Sequence, residues 1–304
     1  MYDVIVIGGG PAGLTAALYC LRLGKTALVI EKESFGGQMT FSPKIENYPG
    51  FLSISGNELA QNMVEQVAEQ GGSLAMEEVL RIENSRADDV KVVVTDCGAY
   101  EARAVIIAVG VRHRLLNVPG EELFLGDGIS FCAICDGAFY ENREVAVIGG
   151  GNSALQEAVL LSKTSKKVTI VQNLDFLTGE KKLQEILENA PNVEILLGYV
   201  VDRINGDTAL RGLDIKKEAT GEIKTLNVDG IFTAIGLEPV NGNFTNVAEL
   251  DKFGYIVADE NGDTRTEGIF AAGDCRTKKV RQVSAACSDG ACSAIAACNY
   301  IDRK

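Results

Sequence analysis

The chain opens with short apolar runs and polar turns that predict strands and helices in regular succession. Residues 4–7 are all β-branched and uncharged, which is typical of a strand buried on both faces. They lead into the glycine-rich residues 8–13, a helical stretch over residues 14–23, and a second apolar strand over residues 26–30 that ends on Glu31. G-x-G-x-x-G in the first turn of such a unit predicts a dinucleotide-binding βαβ motif. Glu31 is then placed to accept a hydrogen bond from a ribose hydroxyl.

The same pattern returns in the middle of the chain. An apolar run leads into Gly149-x-Gly151-x-x-Ala154, and a helical stretch and a strand follow. Two such units suggest two dinucleotide sites, one for each member of a hydride-transferring pair. The alternative is one working site and one unit retained as scaffold. Gln172 is the counterpart of Glu31 in this second unit, and it lacks the carboxylate that would bind a ribose hydroxyl.

Two further apolar runs that end on glycine, residues 105–110 and 230–236, predict the return strands of the two units. Another strand then ends in a carboxylate at Asp274, and residues 281–301 form an alanine-rich helical stretch. We therefore predict an α/β fold of two Rossmann-like domains, the second inserted in the first. The predicted boundaries are residues 1–113 and 245–304 for the first domain and 114–244 for the insert.

Composition and charge narrow the classes of function. The 304 residues carry a formal net charge of −13, which argues against nucleic acid and anionic membranes as partners. No apolar run approaches the roughly 20 residues of a membrane span. The first strand starts almost at the terminus, which leaves no signal peptide and predicts a cytoplasmic protein. Most of the eight cysteines are then expected to be free thiols in small buried positions.

One pair of cysteines carries the candidate chemistry. Cys132 and Cys135 are separated by two residues, and Asp136 follows the second thiol directly. A C-x-x-C pair can close a small disulfide, and it often holds one thiol at a lowered pKa, so that the thiol attacks or leaves at neutral pH. Asp136 is placed to pass a proton to or from the second thiolate.

The same spacing also occurs in half of a zinc site. A tetrahedral zinc site needs four ligands, and a second C-x-x-C or a pair of histidines would have to supply the rest. The chain has neither, and it contains one histidine. The sequence therefore favours redox chemistry, and we predict no metal ligands.

The motifs, taken in order, resemble the low-molecular-weight flavoprotein thioredoxin reductases from end to end. The residues that carry the resemblance are Gly8 to Gly13, Gly36-Gly37-Gln38, Glu46-Asn47-Tyr48-Pro49-Gly50, Cys132-Ala133-Ile134-Cys135-Asp136, Gly268 to Asp274 and Arg281-Gln282-Val283. The resemblance implies FAD in the first domain. It also implies that both domains are FAD/NAD(P)-binding Rossmann-like domains and that the second carries the redox disulfide.

The resemblance further implies a role for each matching residue. Cys135 would take electrons from the flavin, Cys132 would attack the disulfide of thioredoxin, and Asp136 would protonate the departing thiolate. The implied cofactor-binding residues are Gly8, Gly10, Pro11, Ala12, Gly13, Glu31, Lys32, Gly37, Gln38, Asn47, Val79, Gly110, Gly273, Asp274, Arg281, Gln282 and Val283. Members of the family are homodimers, so a homodimer is expected.

The second βαβ unit differs from the family pattern at the residues that would bind a nicotinamide nucleotide. Members that use NADPH carry a His-Arg-Arg-type run after the second strand and another arginine shortly beyond it. This chain has no arginine over residues 172–178, and it carries an acid at Glu238. Both features disfavour a 2′-phosphate. The chain therefore most resembles the branch that is independent of pyridine nucleotides, in which reduced ferredoxin delivers single electrons to the flavin.

Three alternatives remain open at this stage. The first is an NADH- or NADPH-dependent thioredoxin reductase that tolerates the altered loop, because the second glycine motif persists. The second is a flavin dithiol oxidase, which sends electrons from a small dithiol to oxygen. The third is a flavin-bearing redox sensor without steady turnover.

Ferredoxin docking makes a further demand on the surface. Ferredoxins are usually acidic, so docking on a chain this acidic requires a local basic patch. Two lysine-rich segments are candidates, residues 278–281 beside the flavin motif and residues 163–167.

Overall fold

The structure is a computed structural model that describes residues 1–42, 44–84 and 90–304. The chain divides into two units. Unit 1 comprises Met1–Arg112 and Glu238–Lys304, and unit 2 comprises His113–Leu237. Unit 2 is therefore an insertion in unit 1.

Strands and helices alternate at the start of each unit, and runs of consecutive strands follow them. The strands are β1 (Tyr2–Ile7), β2 (Ala27–Glu31), β3 (Ser73–Met76), β4 (Val79–Asn84), β5 (Lys91–Thr95), β6 (Ala99–Ile107), β7 (Val111–His113), β8 (Ile129–Ser130), β9 (Glu144–Ile148), β10 (Lys167–Gln172), β11 (Val193–Leu197), β12 (Tyr199–Gly206), β13 (Leu210–Lys217), β14 (Ile223–Asn227), β15 (Gly230–Thr233), β16 (Leu237–Pro239) and β17 (Ile269–Ala271). The helices are α1 (Pro11–Arg22), α2 (Gly56–Glu69), α3 (Ala133–Asp136), α4 (Asn152–Leu161), α5 (Lys181–Glu188) and α6 (Val283–Arg303).

Unit 1 is built on a seven-stranded sheet with the order β3-β2-β1-β6-β5-β4, and β17 pairs with β6. Strands β3, β2, β1, β6 and β17 pair in parallel, and β5 and β4 continue from β6 as antiparallel strands. On one face of β1, Val4 and Val6 join a core cluster with side chains of α1, α2 and α6. On the other face, Ile5 and Ile7 join a second cluster. A central parallel strand is covered on both faces, which explains its uninterrupted apolar run.

Unit 2 repeats the plan on a smaller scale. Its main sheet is parallel, with the order β11-β10-β9-β15-β8, and a separate antiparallel sheet has the order β12-β13-β14. The predicted return strands are present as β6 beside β1 and β15 beside β9. The predicted α/β fold with two Rossmann-like units, the second inserted in the first, is confirmed.

One boundary lies elsewhere than predicted. The chain re-enters unit 1 at Glu238, whereas the predicted insert extends to residue 244. Two side chains account for the difference. Asn241 is buried and donates to the carbonyl oxygens of Gly254 and Cys275, and Phe244 lies in the second core cluster of unit 1.

The free cysteines divide into three groups, and one of them, Cys287, is half-buried. Cys20, Cys275 and Cys298 are buried, as expected for small core residues. The same expectation is wrong for Cys97 and Cys292, which are exposed. Cys97 lies in the turn between β5 and β6, and Cys292 lies on a solvent-facing position of α6.

None of the helices within the described ranges is long and apolar enough to cross a membrane. The cytoplasmic location and the homodimer stay predictions.

Candidate active site

Cys132 and Cys135 form a disulfide in unit 2, with their Cα atoms 5.3 Å apart. Cys132 directly precedes α3, and its carbonyl oxygen accepts from the backbone N–H groups of Cys135 and Asp136. This single helical turn brings the two sulfur atoms together. Both cysteines are half-buried, and Ile134 between them is 67% exposed. The two thiols predicted to carry the chemistry are therefore joined at a position that is partly open to solvent.

The carboxyl group of Asp136 is held by a serine. Ser130 Oγ donates to Asp136 Oδ2 at 2.6 Å and accepts from the backbone N–H of Cys132 at 3.1 Å. The other oxygen, Asp136 Oδ1, is buried and has no hydrogen-bond partner among the described residues. Burial raises the pKa of Asp136, and the hydrogen bond from Ser130 opposes that rise. A carboxyl with a raised pKa stays protonated up to a higher pH than usual. It can therefore deliver a proton to a thiolate near neutral pH.

Ser130 is a residue of this site that the sequence does not predict. Its hydroxyl reaches both the backbone before the disulfide and the carboxyl after it. The only available signal was its position two residues before a C-x-x-C-D motif, and that position alone does not indicate which way the side chain points.

The residue before Cys132, Phe131, takes part in an aromatic stack. The rings of His113 and Phe131 lie with their centroids 4.4 Å apart at an interplanar angle of 20°. Burial lowers the pKa of His113 to about 4, so the imidazole is neutral at pH 7. A neutral ring packs on Phe131 and does not stabilise a thiolate by its charge.

In unit 1 the first glycine motif forms a tight turn with one open face. A Cβ on Gly8, which has φ +106°, would lie 2.4 Å from the carbonyl oxygen of Ala108, and a Cβ on Gly13 would lie 1.9 Å from that of Gly8. A Cβ on Gly10 would meet no atom within 4 Å, and one on Gly37 would meet only Gly10 Cα, at 3.5 Å. Gly8 and Gly13 therefore serve the packing of the turn, and Gly10 leaves space before α1. This space is where the motif places a pyrophosphate.

Glu31, at the end of β2, is bound to the glycine turn. Its Oε2 accepts from the backbone N–H of Gly9 at 2.7 Å, and its Oε1 accepts from those of Lys32 and Glu33 at 2.8 and 2.9 Å. A carboxylate oxygen accepts more than one hydrogen bond, so the group can still bind a ligand hydroxyl. Its contact with a ribose stays a prediction.

Two buried polar atoms of unit 1 test whether FAD fits. Asp274 Oδ1 and Arg281 Nε have no hydrogen-bond partner among the described residues. Burial raises the pKa of Asp274, against the charges of Lys278 and Arg281. An unpartnered buried polar atom costs about 1–3 kcal/mol. The hydroxyls of a ribityl chain would supply partners for Asp274, and the space at Gly10 would take the pyrophosphate, so these residues fit FAD.

Other predicted cofactor residues meet in pairs. Asn47 Nδ2 donates to Gln282 Oε1 at 3.2 Å, just before α6 begins at Val283. A Cβ on Gly273 would lie 2.8 Å from the Cβ of Ala12. The fold therefore brings the segment before α6 beside both the loop at Asn47 and the start of α1, which lie far apart in the sequence.

The remaining predicted cofactor residues occupy varied positions. Pro11 begins α1, and Gln38 lies in a 3₁₀ turn over Gly37–Phe41. Gly110 has φ +66° and open space around a Cβ position. Lys32 pairs with Glu78 at 3.6 Å, and Val79 is buried at the start of β4, where its carbonyl accepts from Asn243. A role for Val79 therefore rests on its backbone.

The second glycine motif keeps the turn but has a neutral side chain beside it. A Cβ on Gly149 would lie 2.6 Å from the carbonyl oxygen of Ala234, the counterpart of the contact at Gly8. Gln172 is 5% exposed, lies against Gly150, and donates to the carbonyl of Phe176 at 3.4 Å. The only charged side chains over residues 173–180 are the carboxylates Asp175 and Glu180.

The lysine cluster at residues 278–281 is less exposed than a docking patch requires. Lys278 Nζ lies 2.9 Å from Asp289 Oδ2, with side chains 9% and 11% exposed, and Arg276 Nε contacts the same carboxylate at 2.8 Å. Arg281 is half-buried, which leaves Lys279 as the exposed cation of the cluster. The prediction that Lys278 belongs to a basic docking patch is therefore wrong, because Lys278 is paired with Asp289 inside unit 1.

The other candidate cluster is also partly neutralised. Lys166 lies 2.7 Å from Glu144, and Lys167 lies 2.6 Å from Glu194. Lys163 is exposed. These pairs leave residues 163–167 a weaker positive patch than the sequence indicates.

The comparisons with known proteins agree with this geometry. A family model described as pyridine nucleotide-disulphide oxidoreductase matches residues 2–290. The thioredoxin reductase of Treponema pallidum is 43% identical over 302 residues, 99% of this chain and 97% of that protein. A 34.2 kDa protein in the rubredoxin operon of Clostridium pasteurianum is 39% identical over 303 residues, 99% of this chain and 98% of that protein.

A solved structure resembles the chain over its whole length. The thioredoxin reductase of Streptococcus pyogenes superimposes with a TM-score of 0.94 at 39% identity, covering 100% of this chain and 99% of that one. The chain therefore belongs to the pyridine nucleotide-disulphide oxidoreductase family and, like its thioredoxin reductase relatives, is a flavoprotein that uses FAD.

Proposed function

We propose that this protein reduces the disulfide of thioredoxin with electrons from reduced ferredoxin, through FAD and the pair Cys132 and Cys135. The relatives support the acceptor, since proteins named thioredoxin reductase match 99% of the chain at 39% to 43% identity. Unit 1 would bind FAD through the predicted cofactor-binding residues, and unit 2 would carry the redox disulfide.

The main observation in favour of ferredoxin as the donor is the neutral side chain of Gln172 beside the second glycine motif. A 2′-phosphate is bound by arginines through charge-assisted hydrogen bonds, and NAD is bound by an acid at the end of the second strand. Gln172 provides neither group, and its amide is used within the loop. The carboxylates of Asp175 and Glu180 add negative charge to the segment that would meet a phosphate.

The dithiol performs the exchange with thioredoxin in two steps. The Cys132 thiolate attacks one sulfur of the thioredoxin disulfide, which forms a mixed disulfide and releases a thiolate, and Asp136 gives that thiolate a proton. The Cys135 thiol then attacks Cys132 Sγ, restores the disulfide and releases the second thioredoxin sulfur, which takes the proton that Cys135 loses. FAD, when bound, accepts electrons singly and releases them in pairs, which connects a one-electron donor to the dithiol.

Anaerobic titration of the purified protein tests the donor. We expect photoreduced ferredoxin to bleach the flavin absorbance, and we expect NADPH and NADH to leave it unchanged at micromolar concentrations. Bleaching by either nucleotide at that level would contradict the proposal and indicate a nicotinamide-dependent reductase. Flavin that is reduced by a small dithiol and reoxidised rapidly by air would instead indicate a dithiol oxidase.

A Lys279→Glu variant tests ferredoxin docking beside α6. Lys279 is exposed, and its charge reversal should lower kcat/KM for ferredoxin by about threefold to tenfold at low ionic strength, with a weaker dependence on salt. Lys252→Glu, at an exposed lysine of unit 1 outside both lysine clusters, is the matched control. An unchanged rate and salt dependence in Lys279→Glu would exclude this docking position.

A further inference from the structure

Glu157 is a buried carboxyl that the exchange described above does not use. It lies on α4, and its Oε2 is buried with no hydrogen-bond partner among the described residues. Glu157 and Leu161 are four residues apart on the helix and therefore share a face. A Cβ on Gly137, the residue after Asp136, would lie 3.3 Å from Leu161 Cδ2. The face of α4 that carries Glu157 therefore packs against the segment that carries Asp136.

Two carboxyl groups thus share one poorly solvated region behind the disulfide. Asp136 Oδ1 and Glu157 Oε2 are both buried and without partners among the described residues. Burial raises the pKa of Glu157 to about 8, and the charge of Asp136 contributes in the same direction. Two carboxylates in such a place are not both ionised at low cost, so Glu157 holds a proton at pH 7.

The other charged groups around α4 do not change this balance. Elements packed against α4 carry the titratable side chains Lys181, Lys182, Glu185 and Glu188 on α5, Glu144 on β9 and Lys167 on β10. Those on α5 are exposed, and Glu144 and Lys167 are paired with Lys166 and Glu194. Near α3, burial and then the charge of Asp136 raise the pKa of Tyr140 to about 12, so it stays neutral. Asp136 is the described group whose charge acts on Glu157.

We propose that Glu157 is the proton reserve of the disulfide centre and acts through Asp136. At pH 7 the pair holds one proton, on Glu157. During the exchange Glu157 transfers this proton to Asp136, Asp136 passes it to the departing thiolate, and Glu157 takes another from solvent. In the first transfer one O–H bond breaks and another forms, in the second an O–H bond breaks and an S–H bond forms, and no electrons move. Glu157 is thus a positioning residue for the proton, and the inference rests on the proposed exchange at Cys132 and Cys135.

The test uses the full-length FAD-loaded protein and needs neither ferredoxin nor a nicotinamide nucleotide. Wild type and Glu157→Gln are reduced with dithiothreitol, desalted anaerobically, and mixed with oxidised thioredoxin over a range of pH in single turnover. The wild-type rate constant should fall as pH rises through about 8, because Glu157 then loses its proton. Glu157→Gln should lack this inflection and react about tenfold more slowly at pH 7. The exposed Glu188→Gln is the matched control and should follow the wild type.

A second readout separates proton storage from a structural role. The infrared difference spectrum between the oxidised and dithiothreitol-reduced protein should show a carboxylic-acid carbonyl band that Glu157→Gln lacks. Glu157→Asp should retain both the band and the pH inflection, and it replaces Glu157→Gln if the glutamine variant does not fold. An unchanged pH profile in Glu157→Gln, or loss of the inflection in a folded Glu157→Asp, would overturn the inference.

The same experiment distinguishes failure of the proposed function. If the reduced wild type does not react with thioredoxin, the exchange is repeated with 2-hydroxyethyl disulfide, a small disulfide whose leaving thiol is a weak acid and takes a proton as it departs. The pH inflection in that reaction would support the role of Glu157 even though thioredoxin is not the partner. Its absence there would overturn that role.

Discussion

A Cys135→Ser variant is expected to keep its FAD and to lose thioredoxin reduction by roughly four orders of magnitude or more. The residues that fit FAD belong to unit 1, whereas Cys135 belongs to unit 2. A serine hydroxyl cannot displace thioredoxin from a mixed disulfide, so Cys132 should stay covalently bound to its partner after the first step. Steady-state turnover measures the loss, and mass spectrometry of the non-reduced protein detects the adduct.

The matched control for this variant is Cys292→Ser. Cys292 is a free, exposed cysteine on α6, and its replacement should change neither flavin content nor turnover. Full turnover in Cys135→Ser would contradict the exchange mechanism. Adduct formation through another cysteine would instead show that the attacking thiol had been assigned wrongly.

An Asn173→Arg/Leu174→Arg variant is expected to bind NADPH about two orders of magnitude or more tightly than the wild type. Each charge-assisted contact with a phosphate contributes roughly 1.5–3 kcal/mol, and each 1.4 kcal/mol is about tenfold in affinity. Both side chains are exposed and follow Gln172 at the end of β10, so the fold should tolerate the change. Isothermal titration calorimetry with NADPH measures the gain.

The effect should belong to the 2′-phosphate. The affinity for NADH should therefore change far less, and the neutral control Asn173→Gln/Leu174→Gln should leave both affinities unchanged. An equal gain for NADH and NADPH would indicate that the arginines act on the pyrophosphate. Tight NADPH binding by the wild type would show that Gln172 and Asn173 do not exclude the nucleotide.

The sequence predicted well those features that depend on neighbouring residues. The glycine turns are local, since Gly8 and Gly149 each must pass a backbone carbonyl too closely for a side chain. The disulfide is local too, because one turn of helix joins Cys132 to Cys135. Residue types at fixed spacing determine both structures, so they are visible in a single chain.

Features that depend on contacts between distant segments were missed or misplaced. Lys278 looks like a surface cation until α6 brings Asp289 to it. Residues 238–244 look like part of the insert until Asn241 binds the carbonyl of Cys275. The proximity of Glu157 to the segment of Asp136 likewise depends on how α4 packs. A single sequence does not encode these distances in any local pattern.

The two glycines of the second motif should differ in how freely they mutate. A Cβ on Gly149 would collide with the Ala234 carbonyl, whereas one on Gly151 would meet only Thr178 Oγ1, at 3.7 Å. In a lineage that no longer handles nicotinamide, drift can therefore replace Gly151, while purifying selection for folding alone retains Gly149. A conserved Gly149 would then reflect the packing of the turn, whereas replacement of Gly151 among relatives would indicate that the nucleotide is no longer bound.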